Sequence, residues 1–422
     1  MKDTARAAGT EQRSGAPLRV LFIHQNFPGQ FRRIALALAG DPGFAVSAIG
    51  KAGCPGLAEV HLDTYSLHRA PGKQTHHYAR AYESAVLHGQ AVLRLLLEYR
   101  RRGEKPDVIV AHPGWGETLF VREAFPEVRL LHFCEFYYHT TGADVGFDPE
   151  FPATLDDGAR ARSRNAALQM SLDLCDMAVA PTRWQRALHP RAYHDKIRVL
   201  HEGVDTQLMC PDLGANFALP NGKVLRAGDP VVTYVARHLE PYRGFHTFLR
   251  ALPALMEKHP TCQVVIVGGN GVSYGSLPGD APDWKTHMLR EVAIDPLRVH
   301  FTDALPYRDY RRLLQVSAVH VYFTYPFVLS WSMLEAMSCA CLVIGSNTAP
   351  VQEVIRDGEN GLLVDFFDHA GLATAIATGL FFPEKFADLN VRARQTVLDR
   401  FSADSGTAGY RDLILDAAQA GN

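Results

Sequence analysis

The chain has 422 residues, a length that favours two domains over a single hydrophobic core. Hydrophobic residues make up 47% and charged residues 21% of the sequence, which is the balance of a soluble globular protein. The formal net charge of −2 provides no general attraction to nucleic acid or to an anionic membrane, so local cations must bind any anionic ligand.

The start of the chain and its cysteines predict a cytoplasmic location. The first 17 residues are polar and lack the apolar core of a signal peptide, so we predict a disordered leader at 1–17. No apolar run reaches the roughly 18 residues of a membrane span. Seven scattered cysteines argue against a disulfide framework and for a reducing compartment. Cys339 and Cys341 lack a second ligand pair, so we predict core packing there and no metal site.

Ten short runs rich in Val, Ile and Leu recur along the chain, separated by longer stretches of helical periodicity. Continuous apolar runs predict strands covered on both faces, and the helices between them predict two parallel, doubly wound sheets. The first five predicted strands are 19–24, 44–50, 107–112, 129–135 and 177–181. The other five are 231–237, 263–269, 298–302, 318–323 and 341–346.

A segment rich in Gly, Pro and Asn at 210–230 predicts an irregular linker between two domains. It separates an N-terminal Rossmann-like domain at 18–209 from a C-terminal one at 231–401. We expect the C-terminal helix, 402–422, to join the first domain. The predicted fold is therefore α/β, with two domains that face each other across a cleft. Ligands of such sheets bind beyond the carboxyl ends of the strands, where functional side chains are expected.

The first domain offers two such loops. After strand 19–24, Gly29 and Gln30 form a turn and a helix start that suit close approach of an anion, although an ordinary turn explains them equally well. His112 ends the strand 107–112, where it faces the cleft or serves as a core histidine.

Three further polar residues follow on the same predicted face of the first domain. They are Glu117, Glu135 and His139. We predict that they line the site of an acceptor substrate.

The second domain offers a pair of arginines after its first strand. Arg237 directly follows the strand, and Arg243 comes six residues later, just before a helix. Two guanidinium groups near a helix start suit a diphosphate, because bidentate charged hydrogen bonds are strong.

A second helix start lies in the stretch YPFVLSWSMLEAMS. Ser330, Trp331 and Ser332 present backbone N–H groups that can bind an anion, and Glu335 can accept hydrogen bonds from both hydroxyls of a ribose. The alternative for Glu335 is structural, because the spacing from Ser332 to Glu335 also fits a capping box.

These motifs resemble glycosyltransferase family 4, the large group of retaining enzymes with a GT-B fold. The resemblance extends from about residue 19 to 401. It rests on the arginine pair and on three segments, LEAMSCACLVIGS (334–346), VQEVIRDGENGLLVD (351–365) and KIRVLHEGVD (196–205).

The resemblance implies roles for the catalytic and donor-binding candidates. Arg237 and Arg243 are expected to bind the donor diphosphate, and Glu335 the ribose. Backbone N–H groups of Ser330, Trp331 and Ser332 are expected to hold phosphate or sugar oxygens. Gly29 and Gln30 are expected to close over the donor from the first domain, with His112 beside the transferred sugar.

One position departs from the family pattern. The family's Glu-x(7)-Glu motif has a first glutamate that contacts the hydroxyls of the donor sugar, and Phe327 stands at that position. An aromatic ring cannot make these hydrogen bonds, so the sugar is placed differently, other groups replace them, or activity is lost.

The resemblance implies a metal-independent retaining transferase that needs no cofactor. The expected partners are a nucleotide-sugar donor, with a UDP-sugar as the default, and a hydroxyl-bearing glycan or lipid-linked acceptor in surface glycan or glycoconjugate synthesis. The alternatives are a nucleotide-sugar epimerase and a binding protein that has lost turnover. The leucine-rich stretch AVLRLLLEYRRRG (91–103) fits either the helix before strand 107–112 or a weak contact with the inner face of a membrane. Nucleic acid is not an expected partner.

Overall fold

Two parallel sheets organise residues 16–420, the part of the chain that the computed structural model describes. The predicted leader at 1–17 lies outside these residues except for its last two positions. The strands of both sheets point their carboxyl ends toward one cleft, whose lining comes from both halves of the chain. The predicted α/β fold with two Rossmann-like domains across a cleft is confirmed.

The first sheet contains seven parallel strands. They are β1 (Leu18–Ile23), β2 (Phe44–Lys51), β3 (His61–Tyr65), β4 (Val108–Ala111), β5 (Arg129–Phe133), β6 (Met177–Ala180) and β7 (Ile197–Val199). The accompanying helices are α1 (Arg32–Ala39), α2 (Arg80–Arg101), α3 (Val121–Ala124), α4 (Leu155–Leu174) and α5 (Arg183–Leu188). The strand order is β3-β2-β1-β4-β5-β6-β7, so the winding direction reverses between β1 and β4.

A short antiparallel hairpin lies inside the segment 210–230, which the sequence predicted as an irregular linker. It consists of β8 (Asn216–Ala218) and β9 (Val224–Arg226). Phe217 and Leu225 are buried in a cluster with Val231 and Val265, which belong to the second domain. The linker is therefore partly ordered, because its apolar side chains cover one side of the second sheet.

The second sheet repeats the topology of the first with six parallel strands. They are β10 (Val231–His238), β11 (Gln263–Gly269), β12 (Val299–Thr302), β13 (Val319–Tyr322), β14 (Leu342–Ser346) and β15 (Leu362–Val364). The order β12-β11-β10-β13-β14-β15 places the reversal between β10 and β13. The helices of this half are α6 (Phe245–Lys258), α7 (Trp284–Glu291), α8 (Tyr307–Val316), α9 (Trp331–Ser338), α10 (Ala349–Gln352), α11 (His369–Phe381) and α12 (Ala387–Arg400). Short 3-10 helices lie at Gly29–Phe31, Arg191–Lys196, Pro241–Arg243 and Pro383–Phe386.

All ten predicted strands are present, with ends within two residues of the prediction. The sequence missed the short strands β3, β7 and β15, each of which lies at an edge of its sheet. Edge strands are not covered on both sides, so they lack the continuous apolar run that marks a central strand. The burial of β15, for example, is intermediate along its whole length.

The last helix, α13 (Ala403–Gln419), packs against the first domain. Tyr410, Ile414 and Ala417 are buried in the same cluster as Val20 and Phe22 of β1. The chain thus crosses back after α12, and residues far apart in sequence complete one core.

A long connection between β5 and α4, residues 134–154, crosses in the other direction. Phe136 and Ala143 of this interdomain segment are buried in the core of the second domain. The carboxylate of Asp148 accepts hydrogen bonds from His246 Nε2 at 2.9 Å and from the Tyr325 hydroxyl at 2.7 Å. These contacts attach the first domain to the second along one side of the cleft.

Helix α2 contains the leucine-rich stretch 91–103 that left two interpretations open. Val92 and Leu96 are fully buried in the core of the first domain, as expected for the helix that leads into β4. Within residues 16–420, no helix combines the length and the hydrophobicity that crossing a bilayer requires.

Truncation of a buried side chain in α13 tests the shared core. Ile414 is 0% exposed, so Ile414→Ala is expected to lower the free energy of unfolding by about 2 to 5 kcal/mol, measured by urea denaturation. Gln419→Ala, at an exposed position of the same helix, is the matched control and is expected to change it by less than about 0.5 kcal/mol. Equal stabilities of the two variants would show that α13 is not part of this core.

Candidate functional site

The cleft between the two sheets encloses about 650 Å³. Ten of the twelve predicted site residues line it. They are Gly29, Gln30, His112, Glu135, Arg237, Arg243, Ser330, Trp331, Ser332 and Glu335. The points at which the strand order of each sheet reverses thus meet at one cavity. Ligands of parallel α/β sheets bind at such points.

The first-domain wall of the cleft is a chain of hydrogen bonds between four side chains. His24 Nε2 lies 2.8 Å from Gln30 Oε1, and Gln30 Nε2 donates to Glu135 Oε1 at 3.0 Å. His112 Nε2 lies 3.3 Å from the other oxygen of Glu135. The two imidazole rings are 5.2 Å apart, because they follow the neighbouring strands β1 and β4.

Backbone contacts set the tautomers of both histidines. The N–H of Asn26 donates to His24 Nδ1 at 2.9 Å, and the N–H of Gly114 donates to His112 Nδ1 at 3.1 Å. In the neutral form of each ring the proton therefore lies on Nε2, and His112 Nε2–H donates to Glu135. Both nitrogens of each ring are engaged, so the network is pre-organised.

Burial and the hydrogen-bond network shift the pKa values of His24 and Glu135 in this wall. Burial and the nearby His112 lower the pKa of His24 to about 3, so its ring is neutral. Burial alone raises the pKa of Glu135, but the hydrogen bond and charge of His112 outweigh it, and the net pKa lies below its usual range. The wall therefore presents the Glu135 carboxylate between the side chains of Gln30 and His112.

Gly29 and Gly114 leave space for the rings of His24 and His112 to pack against the loops that follow them. A Cβ on Gly29, whose φ is +48°, would lie 2.5 Å from His24 Cε1. A Cβ on Gly114 would lie 2.5 Å from His112 Cε1. Any larger residue at these positions displaces the rings, since real Cβ contacts are never this short.

Arg243 is the central cation of the second-domain wall. Its side chain is buried, and Nη1 donates to the Tyr322 hydroxyl at 3.1 Å, to Thr324 Oγ1 at 2.9 Å and to the Val328 carbonyl at 2.8 Å. These three acceptors orient the guanidinium while it lines the cleft. The Tyr322 hydroxyl also accepts the N–H of Ser330 at 2.7 Å, which connects Arg243 to the start of α9.

Arg237 reaches the cleft through an irregularity in β10. The pairing of β10 with β11 shifts register between Val235 and His238, so Arg237 lies outside the regular ladder. Such bulges redirect a side chain from its expected face. Arg237 is exposed and forms no ion pair or side-chain hydrogen bond with any residue of 16–420.

Helix α9 begins two residues earlier than the capping-box interpretation requires. Ser330 is the N-cap, and its hydroxyl accepts the N–H of Ser332 at 3.3 Å. The capping box between Ser332 and Glu335 is therefore wrong. Within the described range the N–H of Trp331 has no acceptor, and it remains open to a ligand.

The carboxylate of Glu335 is held by two tyrosines of α8 instead. The Tyr307 hydroxyl donates to Oε1 and the Tyr310 hydroxyl donates to Oε2, both at 2.7 Å. Burial raises the pKa of Glu335, while the two tyrosine hydroxyls oppose the shift. Each oxygen keeps a further lone pair for a ligand in the cleft.

Several lining residues were not predicted from the sequence. His24 follows β1 as His112 follows β4. The expectation that functional side chains follow the carboxyl ends of strands could therefore have identified it. Glu240 is fully buried, and its carboxylate accepts the N–H groups of Ser273, Tyr274 and Gly275 at 2.9, 3.2 and 2.9 Å. No local sequence signal identifies this contact, because its partners lie more than 30 residues away.

Two predicted acceptor-side residues do not line the cleft. His139 Nε2 donates to the carbonyl of Leu188 at 2.7 Å, and Glu117 is 1% exposed. Glu117 Oε1 accepts the Tyr65 hydroxyl at 2.8 Å, and Oε2 has no partner among residues 16–420. The loop after β4 turns Glu117 into the first domain, and His139, in segment 134–154 after β5, bonds to the first domain at Leu188.

Sequence models of known protein families match both halves of the chain. The sequence model of the Glycosyl transferase family 4 group matches residues 42–209, and that of Glycosyl transferases group 1 matches residues 229–380. Together they cover most of the chain and both sheets. The chain belongs to the family 4 glycosyltransferases.

Curated relatives are about one quarter identical to this chain over the regions that align. It is 27% identical over 58% of its length to the GDP-mannose-dependent α-(1-6)-phosphatidylinositol monomannoside mannosyltransferase of Mycolicibacterium smegmatis. It is 26% identical over 53% of its length to the D-inositol 3-phosphate glycosyltransferase of Corynebacterium glutamicum. The matches span 63% and 53% of the length of these relatives.

Solved structures share the fold of this glycosyltransferase over nearly its whole length. Sucrose-phosphate synthase from Thermosynechococcus elongatus matches with a TM-score of 0.71 at 18% identity, covering 96% of this chain and 100% of that one. HepE from Anabaena in complex with UDP and glucose matches with a TM-score of 0.66 at 15% identity, covering 94% and 100%. These neighbours establish the GT-B architecture.

The buried carboxyl of Glu117 predicts a pH-dependent stability of the glycosyltransferase. Burial raises its pKa from 4.5 to about 7, so the folded state favours the protonated form. This contribution is complete below pH 4.5 and is lost as pH rises through 7. Glu117→Gln is therefore expected to gain about 3 kcal/mol relative to the wild type between pH 4.5 and pH 8.

Chemical denaturation at several pH values measures this difference. Glu59→Gln, at an exposed position of the same domain, is the control and is expected to follow the wild-type curve. A Glu117→Gln curve parallel to the wild-type curve would contradict the raised pKa.

Proposed function

We propose that this glycosyltransferase moves a sugar from a nucleoside-diphosphate sugar to a hydroxyl acceptor with retention of configuration. The guanidinium of Arg243, buried and oriented at the cleft beside a helix start, is the observation that carries the proposal. The acceptor is a glycan or lipid-linked molecule, and the product belongs to a surface glycan or glycoconjugate.

The positive groups of the second-domain wall suit a diphosphate. Arg243 is fixed by three acceptors on Nη1, and Arg237 carries an unpaired charge at the end of the neighbouring bulge. The open N–H of Trp331 adds the positive end of a helix dipole. Two guanidinium forks and a helix start can neutralise a diphosphate without a metal ion, so the proposed reaction is metal-independent.

The same groups can accelerate the transfer. As the anomeric bond breaks, negative charge builds on the leaving diphosphate, and positive groups already oriented toward it stabilise the transition state more than the ground state. Arg243 needs no reorganisation for this role, because its acceptors hold it in place.

His112 is assigned to orienting the transferred sugar. Both of its nitrogens are engaged, by the N–H of Gly114 and by Glu135, so it has no free lone pair to act as a base. We propose that the proton of the acceptor hydroxyl passes to the leaving phosphate. Gln30, with Gly29, is assigned to the donor from the first-domain side, and Glu135 is assigned to the acceptor side.

Glu335 provides the ribose site in this proposal. Its two oxygens are held in place by Tyr307 and Tyr310, and free lone pairs can accept both ribose hydroxyls. A UDP-sugar is the proposed donor, supported by the structural neighbour HepE, which was solved with UDP. The relative from Mycolicibacterium smegmatis is named for GDP-mannose, so guanosine donors belong in every test.

We also propose that transfer takes place in the cytoplasm, with weak contact at the inner face of a membrane. The name of the same relative includes a phosphatidylinositol mannoside, a lipid acceptor, which supports this location. The arginines at the end of α2 offer positive charge for such contact.

Two alternatives share the diphosphate site. An epimerase would convert the donor without an acceptor, and a protein without turnover would bind the donor and release it unchanged. Incubating the protein with donor alone and analysing the sugar separates these alternatives from a transferase.

Removing the exposed arginine tests the diphosphate site. Arg237→Ala is expected to lower the rate of transfer by about a hundredfold or more, because a lost charge-stabilising donor typically costs about 2.7 to 4 kcal/mol. The fold should be unaffected, since Arg237 has no partner among residues 16–420. Steady-state kinetics and circular dichroism measure the two effects.

Arg243→Lys is the matched variant at the buried position and is expected to reduce kcat, since a lysine cannot reproduce the bidentate fork. Arg356→Ala, at an exposed arginine outside the cleft, is the control and should retain full activity. Near-normal turnover of both cleft variants would contradict the proposed donor site.

The ribose site has its own test. Glu335→Gln is expected to weaken binding of UDP about tenfold, because a charged hydrogen bond to the ribose hydroxyls is lost. Binding of inorganic pyrophosphate, which has no ribose, should change much less. Calorimetry measures the affinity for both ligands. Equal losses of affinity for UDP and for pyrophosphate would show that Glu335 acts on the phosphates or on the stability of the fold.

A further inference from the structure

The cleft has an aromatic corner next to Arg243. Phe327 is 6% exposed, and its ring centroid lies 4.6 Å from that of Phe136, 4.8 Å from that of Tyr274 and 5.5 Å from that of Tyr242. Phe136 comes from the interdomain segment 134–154, and the other three rings come from the second domain. The aromatic corner therefore exists only where the two domains meet.

Arg243 places this corner beside the diphosphate site. The carbon of its guanidinium lies 5.1 Å from the Tyr274 ring centroid and 5.9 Å from the Phe327 ring centroid. A phosphate that accepts hydrogen bonds from the guanidinium lies about 3 Å from its nitrogens. A sugar attached to that phosphate is then within reach of the aromatic corner.

Phe327 and Phe136 supply only apolar surface to the corner. The Tyr242 hydroxyl donates to Asp144 Oδ2 at 3.0 Å, and the Tyr274 ring packs against the Arg243 guanidinium, whose carbon lies 5.1 Å from the ring centroid. The backbone N–H groups around Tyr274 donate to Glu240. A sugar hydroxyl directed at the Phe327 ring would therefore lose water and find no hydrogen-bond partner on Phe327 or Phe136.

The geometry points to a deoxyhexose as the transferred sugar, bound with the carbon that lacks a hydroxyl against Phe327. This inference rests on the proposed function and adds the chemistry of its donor. An aromatic ring packs well against C–H or methyl groups of a sugar, whereas a hydroxyl buried there stays unpaired. Phe327 is then a specificity-determining residue rather than a sign of lost activity.

Matched donor pairs test the inference without knowledge of the acceptor. Each pair differs by one hydroxyl, at C3, C4 or C6 of the hexose, on the same nucleoside diphosphate, and both UDP and GDP series are used. At one of these carbons the wild type is expected to bind the deoxy donor about 10 to 100 times more tightly, as apolar pockets discriminate against an added hydroxyl. Calorimetry measures the dissociation constants.

Two substitutions separate polarity from shape. Phe327→Leu keeps the position apolar and is expected to retain the preference for the deoxy donor. Phe327→Glu supplies an acceptor for a hydroxyl and is expected to remove or reverse it. Unchanged binding of UDP or GDP alone, without sugar, shows that each variant keeps the diphosphate site.

The outcomes distinguish this inference from the function on which it depends. Equal binding of both donors in every pair, or a preference that Phe327→Glu leaves intact, overturns the inference and leaves the transferase proposal standing. A wild type that binds no nucleoside diphosphate at all overturns both.

Discussion

The reversal of winding at the centre of each sheet is the constraint on which this cleft depends. At the switch points, helices leave the sheet on opposite faces, and the strand ends stay uncovered. The first sheet places His24 and His112 there, and the second places Arg237 and Arg243. Because the two sheets share one topology, the same geometric rule supplies both walls of the cavity.

The two walls differ in how they handle charge. The first wall holds the carboxylate of Glu135 between Gln30 and His112, and backbone N–H groups orient its two histidines. The second wall carries two guanidinium groups, those of Arg237 and Arg243, and two buried carboxylates, which are held by tyrosine hydroxyls at Glu335 and by backbone amides at Glu240. The two guanidinium groups therefore attract the negative charge of a ligand to the second wall.

The interdomain segment 134–154 makes the cleft a joint product of both domains. Asp148 anchors it on the second domain, and Phe136 completes the aromatic corner around Phe327. A change in the relative position of the domains would separate these rings and open the corner. The position that departs from the family pattern is thus supported by neighbours that match its apolar character.

By itself, the sequence determined the two sheets and the loops that carry the cleft residues, because apolar runs and strand ends are local signals. Ten of the twelve candidates met at one cavity for this reason. Only the tertiary structure decided what each side chain contacts. Arg243 forms a hydrogen bond with Tyr322, which lies 79 residues later in the chain. Glu335 accepts a hydrogen bond from Tyr307, 28 residues earlier, and not from the backbone at the start of its own helix. Hydrogen-bond partners are chosen by proximity after folding, and proximity across such separations leaves no trace in local pattern.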